Sequence, residues 1–135
     1  MFAVELTYGD SNPNTIRWEQ MENYSGFEGE METGWVADLT SSSTGVAVND
    51  VVSIDFTVDG EIASEYRVCR EDNFDKNDST TWLDNLTNVA FTVESVNVDD
   101  TTYTYIKFFV QHLDKFGNKD GDAMSYTIIF NTVED

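Results

Sequence analysis

The sequence predicts an all-β fold, an antiparallel sandwich, and three observations predict it. Apolar residues alternate with polar ones at period two over several separate runs. Polar turn signals stand between those runs. No stretch carries a convincing helical period.

Taken in order, AVELTY (3–8) and TIRW (15–18) are short strands able to pair across GDSNPN, which holds the only proline, Pro13. NYSGFEGEMETG (23–34) is glycine-rich, acidic and weakly patterned, and GWVADL (34–39) follows it. SSSTG (41–45) reads as a linker-like stretch, which sets a soft boundary between residues 1–43 and residues 44–135. Two alternatives stand for 1–43: first strands of the sandwich with a long loop, or an arm that orders only against a partner.

Beyond the boundary the alternation is clearer. VVSIDFTV (51–58) sets Val52, Ile54, Phe56 and Val58 on one face. ASEYRVCR (63–70) does so with Tyr66 and Val68, and VAFTVE (89–94) with Val89, Phe91 and Val93. TYTYIKFFVQH (102–112) offers Ile106, Phe108 and Val110, and SYTIIFN (125–131) offers Tyr126, Ile128 and Phe130. The turn signals are DG at 59–60, DNFDKNDS at 72–79, VNVDD at 96–100, and HLDKFGNKDGD at 112–122.

Charge is the strongest compositional signal. Twenty-six acidic residues against seven basic ones give a net charge of −19. Residues 1–60 hold eleven of the acids and one base, Arg17, so the acidity is spread along the chain and is not a tail. Such a surface repels nucleic acid and anionic membrane at long range, and neither is expected as a partner. No apolar run approaches the roughly 18 residues of a membrane helix. MFAVELTYGD shows no signal peptide, so synthesis in a host cytoplasm is expected. The single Cys69 excludes an intrachain disulfide.

Residues 44–131, about two thirds of the chain, resemble the immunoglobulin-like repeats of bacterial and phage surface proteins. The likeness lies in EYRVCREDNFD, the lone tryptophan of STTWLDN, VAFTV, and YTYIKFFVQHLDKFGNK with its closing strand SYTII. Its core is Tyr66, Val68, Trp82, Phe91, Ile106, Phe108, Val110, Asp114, Gly117 and Asn118. Cys69 stands where a serine is common, and His112 takes an inward position that is usually apolar. The resemblance implies an immunoglobulin-like sandwich with an N-terminal extension or extra strands. It says little of function, because such domains serve as spacers, adhesins and decorations alike.

The resemblance also implies that 112–122 is a turn, with Gly117 supplying a backbone conformation other residues avoid, Asn118 tolerating left-handed geometry and Asp114 accepting N–H groups. Calcium is the rival, through Asp114, Asn118, Asp120 and Asp122, but no glutamate stands at the twelfth position to close such a loop. His112 and Cys69 lie on different strands and are read as core or edge residues, not as a catalytic pair. No phosphate loop, serine elbow or zinc spacing is present. No enzyme activity and no cofactor are expected.

Aromatic residues carry the remaining functional signal. Trp18, Phe27 and Trp35 are candidate docking anchors of the N-terminal stretch. Tyr103, Tyr105 and Phe109 lie opposite the core set of the long strand and await cover by that stretch or by a subunit contact. The expectation is a non-enzymatic virion structural protein on the particle surface, a phage head decoration (auxiliary capsid) protein, with a major capsid protein or other virion component as partner. The alternatives are a tail or neck accessory protein, and a carbohydrate-binding or adhesin module recognising a surface glycan.

Overall fold

The computed structural model of the chain describes residues 2–7, 14–17, 21–24, 34–42, 44–70, 82–98, 100–121 and 123–133. Trp18, Phe27, Asp122 and the acidic stretch 72–79 lie outside them.

The described strands are β1 (Phe2–Thr7), β2 (Asn14–Arg17), β3 (Glu22–Tyr24), β4 (Gly34–Asp38), β5 (Val51–Val58) and β6 (Glu61–Ile62). They continue with β7 (Tyr66–Arg70), β8 (Val89–Thr92), β9 (Glu94–Val98), β10 (Thr101–His112) and β11 (Met124–Val133). A three-residue 3-10 turn, Thr40–Ser42, is the one helical element among the described residues.

These strands make an all-β sandwich. The first sheet runs β2-β1-β5, and the far edge of β5 is shared by β8 and β6. The second runs β3-β4-β11-β10, and the far edge of β10 is shared by β7 and β9. All pairs are antiparallel except β4 with β11, which is parallel from Trp35 beside Tyr126 to Asp38 beside Ile129. The second sheet is therefore mixed.

Local chemistry explains several junctions. The Asp59–Gly60 turn has positive φ at both residues, 51° and 87°. That is the conformation a two-residue hairpin needs to match strand twist, and it joins β5 to β6 with Val58 opposite Glu61. At the start of β4, Gly34 has φ 126°, and a Cβ there would lie 1.9 Å from Ser125 Oγ. Only glycine allows β4 to approach β11 so closely.

In β10 and β11 the register slips by one between Thr104 and Tyr105. The extra residue is Phe130, which is fully buried. Thr104 Oγ1 accepts the Asn131 N–H at 3.0 Å, so the irregularity leaves no orphan donor there.

The chain changes sheets at Val93. This residue is 1% exposed, donates to Asp50 O at 2.8 Å and accepts from Asn49 N–H at 2.9 Å. The run VAFTVE is thus two strands, not one. VNVDD was expected as a turn; Val96 and Asn97 instead belong to β9, and Asp100, with φ 66°, makes the turn. The pairing of 94–98 with 101–105 overrides the polar composition.

Both inner faces meet in one core. The first sheet contributes Phe2, Val4, Leu6, Ile16, Val52, Ile54, Phe56, Val89 and Phe91. The second contributes Ala37, Val68, Ile106, Phe108, Val110, Tyr126, Ile128 and Phe130. Phe108 lies at its centre, with ring centroids of Phe56, Phe91 and Tyr126 at 5.1, 5.7 and 5.7 Å.

Strands on the N-terminal side of residue 43 pair with strands beyond it. β1 pairs with β5 along its whole length, and β4 lies beside β11. The linker-like reading of 41–45 is corrected at Thr44. Thr44 and Val46 are buried, Thr44 Oγ1 lies 3.2 Å from Asn131 Oδ1, and Asn131 Nδ2 donates to Val46 O. Polar composition concealed a segment fastened to β11 by side-chain hydrogen bonds. His112 is the last residue of β10, opposite Tyr66, and its side chain is 41% exposed at that end of the strand.

Two outcomes follow from the core. Phe108→Ala should cost about 3–5 kcal/mol in denaturant melts, the range for a fully buried aromatic ring. A chain beginning at Thr44 lacks β1 and β4 and the core side chains Phe2, Val4, Leu6, Ile16, Met21 and Ala37. It should show no cooperative thermal transition by circular dichroism, whereas the full chain should show one.

Candidate functional site

The connection between β10 and β11 is a closed hairpin. Leu113 bridges Lys119, Asp114 N–H donates to Asn118 O at 2.8 Å, and Gly117 N–H donates to Asp114 O at 2.9 Å. Asp114 Oδ1 accepts the N–H groups of Phe116 at 2.8 Å and Asn118 at 2.9 Å. Gly117 supplies the positive φ, 82°, that turns the chain. The Asn118 N–H, above all, holds the Asp114 carboxyl below its ordinary range, aided by the Phe116 N–H, the Asn118 side chain and His112, against an opposing effect of desolvation.

Of the calcium candidates, Asp114 is thus engaged with backbone and Asp120 with a side chain. His112 Nδ1 lies 3.0 Å from Asp120 Oδ2, and its Nε2 lies 4.0 Å from Glu65 Oε2. The imidazole leans on Tyr66, with ring centroids 4.9 Å apart. Gln111 Nε2 donates to Gly121 O at 2.8 Å and steadies the return limb. Among the described residues no group of three or more His, Cys, Asp or Glu side chains is placed to hold a metal ion. Cys69 is fully buried, and the register sets it opposite Phe109 while His112 stands opposite Tyr66. The fold does not bring the two together.

The aromatic candidates divide. Trp35 packs half-buried against the main core, on the inner face. Tyr105 is 2% exposed on the outer face of the second sheet, where it forms a small second core with Val36 and Ile129, flanked by Val96 and Tyr103. Cover for Tyr105 therefore comes from β4, a strand of the N-terminal stretch. Tyr105 is thus almost wholly covered within the chain, while Trp35 keeps part of its surface exposed. Tyr103 and Phe109 remain half-exposed on that face, with Lys107 Nζ 5.6 Å from the Phe109 ring centroid. Beside them Arg67 stacks on Trp82 at 4.1 Å and donates from Nε to Gln111 Oε1 at 2.8 Å.

Two features escaped the sequence reading. The first is a cleft of about 840 Å³ lined by Arg70, Phe91, Glu94, Tyr105, Ile106 and Lys107 among others. It lies where β7 ends opposite Phe108 and β9 begins opposite Tyr105, so the edge of β10 is split between two short strands. Arg70 stands at its wall, donating to Ala90 O at 2.8 Å with its guanidinium 5.2 Å from the Phe91 ring centroid. No local pattern announces a cleft made by two strands sharing one edge. The second is Phe116, which is 75% exposed at the hairpin tip. The turn signal concealed it, because glycine, asparagine and aspartate around it announce only a change of direction.

The Asp114 carboxylate gives a pH prediction with a definite sign. Its carboxyl is depressed in the folded state, so its contribution is present above the unfolded value of roughly 4 and is lost as pH falls through the lower folded value. Asp114→Asn should melt at a lower temperature than the parent at pH 7. The gap should narrow progressively on acidification below about pH 4, as read by thermal melts across a pH series.

No protein family, curated protein or solved structure matches the chain.

Proposed function

We propose that this chain is a non-enzymatic structural protein of a virion surface, a phage head decoration (auxiliary capsid) protein. The observation that carries the reading is a charge of −19 spread over both halves of the chain, on a sandwich whose chemistry-bearing side chains serve folding. His112 braces a hairpin, Cys69 is sealed in the fold, and Asp114 closes a turn. An acidic outer face suits display on a particle and repels packaged nucleic acid. The resemblance of 44–131 to immunoglobulin-like surface repeats supports the same reading. The partner is then a major capsid protein or another virion component, met by protein–protein contact.

The cleft beside β10 favours a second reading, a carbohydrate-binding or adhesin module. Its lining combines the ring of Phe91 with charged groups, Arg70, Glu94 and Lys107.

The discriminating experiment is co-sedimentation with empty shells assembled from the major capsid protein of the same genome, alongside a glycan array. Decoration predicts saturable binding to assembled shells at a fixed ratio, with no binding to unassembled capsid subunits. Glycan binding without shell binding would replace the first reading with the second.

A further inference from the structure

Exposed apolar side chains are unevenly placed on this molecule. The exposed large hydrophobic residues among those described are Val48, Val51, Ile62, Phe116 and Met124. Ile62, Phe116 and Met124 all fall at one end of the sandwich. Leu113 N–H donates to Glu65 O at 2.7 Å, which joins the base of the hairpin to the segment leading from β6 into β7. Met124 opens β11 opposite Val110, at the same end.

The charges at this end are also sorted. The hairpin tip presents Phe116 between Lys115 and Lys119, all exposed, with Lys115 Nζ 5.2 Å from the Phe116 ring centroid. Those are two of only seven basic residues in the chain. Two described acids near them are engaged within the hairpin, Asp114 accepting the Asn118 N–H and Asp120 lying 3.0 Å from His112 Nδ1, while the lysines extend into solvent. Beside the hairpin, the 59–65 segment presents the opposite pattern. There Ile62, 48% exposed, is accompanied by the exposed Asp59, Glu61 and Glu65. One end of the molecule thus carries an aromatic knob flanked by cations next to an apolar residue flanked by carboxylates.

We propose that this end is an isologous interface between two copies of the chain. A twofold axis would set each Lys115–Phe116–Lys119 tip against the other copy's Asp59, Glu61, Ile62 and Glu65, so that both contacts form at once. Self-complementarity argues for a second copy as the occupant, since both halves of the contact are present on one surface. Local charge pairing offsets the mutual repulsion of two acidic bodies, whose longer-range part is screened at about 8 Å in physiological salt. The Asp114 bonds hold the tip in one conformation before contact, which reduces the entropy lost on association. The inference stands independently of any role on a virion.

Sedimentation velocity over a concentration series tests it. The parent chain should show a monomer–dimer equilibrium, and Phe116→Ala should raise its Kd by at least about tenfold. Lys115→Glu/Lys119→Glu and Glu61→Lys/Glu65→Lys should each be monomeric alone. An equimolar mixture of these two should dimerise, because one contact then pairs reversed charges and the other pairs native ones. A parent chain that stays monomeric at millimolar concentration overturns the proposal. So does a Phe116→Ala chain that dimerises like the parent, or a mixture that remains monomeric.

Discussion

The pairing of β10 on both edges is the constraint on which the rest of the structure depends. Along one edge this twelve-residue strand holds β11; along the other it holds β7 at its C-terminal part and β9 at its N-terminal part. Its inner side chains Ile106, Phe108 and Val110 centre the main core, and its outer Tyr105 nucleates the second one. A strand whose inner face fills the core has little tolerance for a register slip, since one step toward its N-terminal side would set Tyr105, Lys107 and Phe109 where Ile106, Phe108 and Val110 belong. The irregularity that does occur is placed at Phe130 on β11, and Thr104 satisfies the backbone donor it exposes. The cleft follows from the same arrangement, because two short strands cannot cover a twelve-residue edge without a gap.

The N-terminal residues complete what β10 begins. β1 occupies the edge of β5 that would otherwise lie open, and it delivers Phe2, Val4 and Leu6 to the core. Val36 of β4 covers Tyr105 on the other side of the second sheet. One stretch of chain therefore closes both faces of the central strands. Unpaired edges invite pairing with other chains, and β1 and β4 bury two long ones.

A strongly acidic chain pays for its charge in self-repulsion, yet several of its aspartates also build the fold. Asp38 accepts the N–H and hydroxyl of Thr40 at 2.9 and 2.7 Å. Asp50 accepts the Ala47 N–H at 2.9 Å, Asp55 accepts the Asn88 N–H at 2.7 Å, and Asp114 closes the hairpin. Short carboxylates satisfy backbone donors where strands end, as apolar residues in the same loops would not. Acidity and turn chemistry thus coincide in the same residues.

What the sequence by itself determined was the set of strands and their inward faces. Val52, Ile54 and Phe56, then Ile106, Phe108 and Val110, then Tyr126, Ile128 and Phe130 are legible because period-two alternation is local and burial of one face enforces it. The Asp59–Gly60 hairpin and the Asp114 turn were legible for a similar reason, since left-handed backbone demands particular residues. Tertiary structure alone decided the rest. Whether Trp35 and Tyr105 face a partner or the protein's own core depends on which strand lies beside them, and pairing between residues far apart leaves no local pattern. The same holds for Thr44, whose polar neighbourhood reads as a spacer until Asn131 is brought to it from 87 residues away. The exposed tip at Phe116 belongs to this second group as well. An aromatic residue within a turn has the same sequence signature whether its ring packs inward or stands in water, and only the geometry of the closed hairpin decides between them.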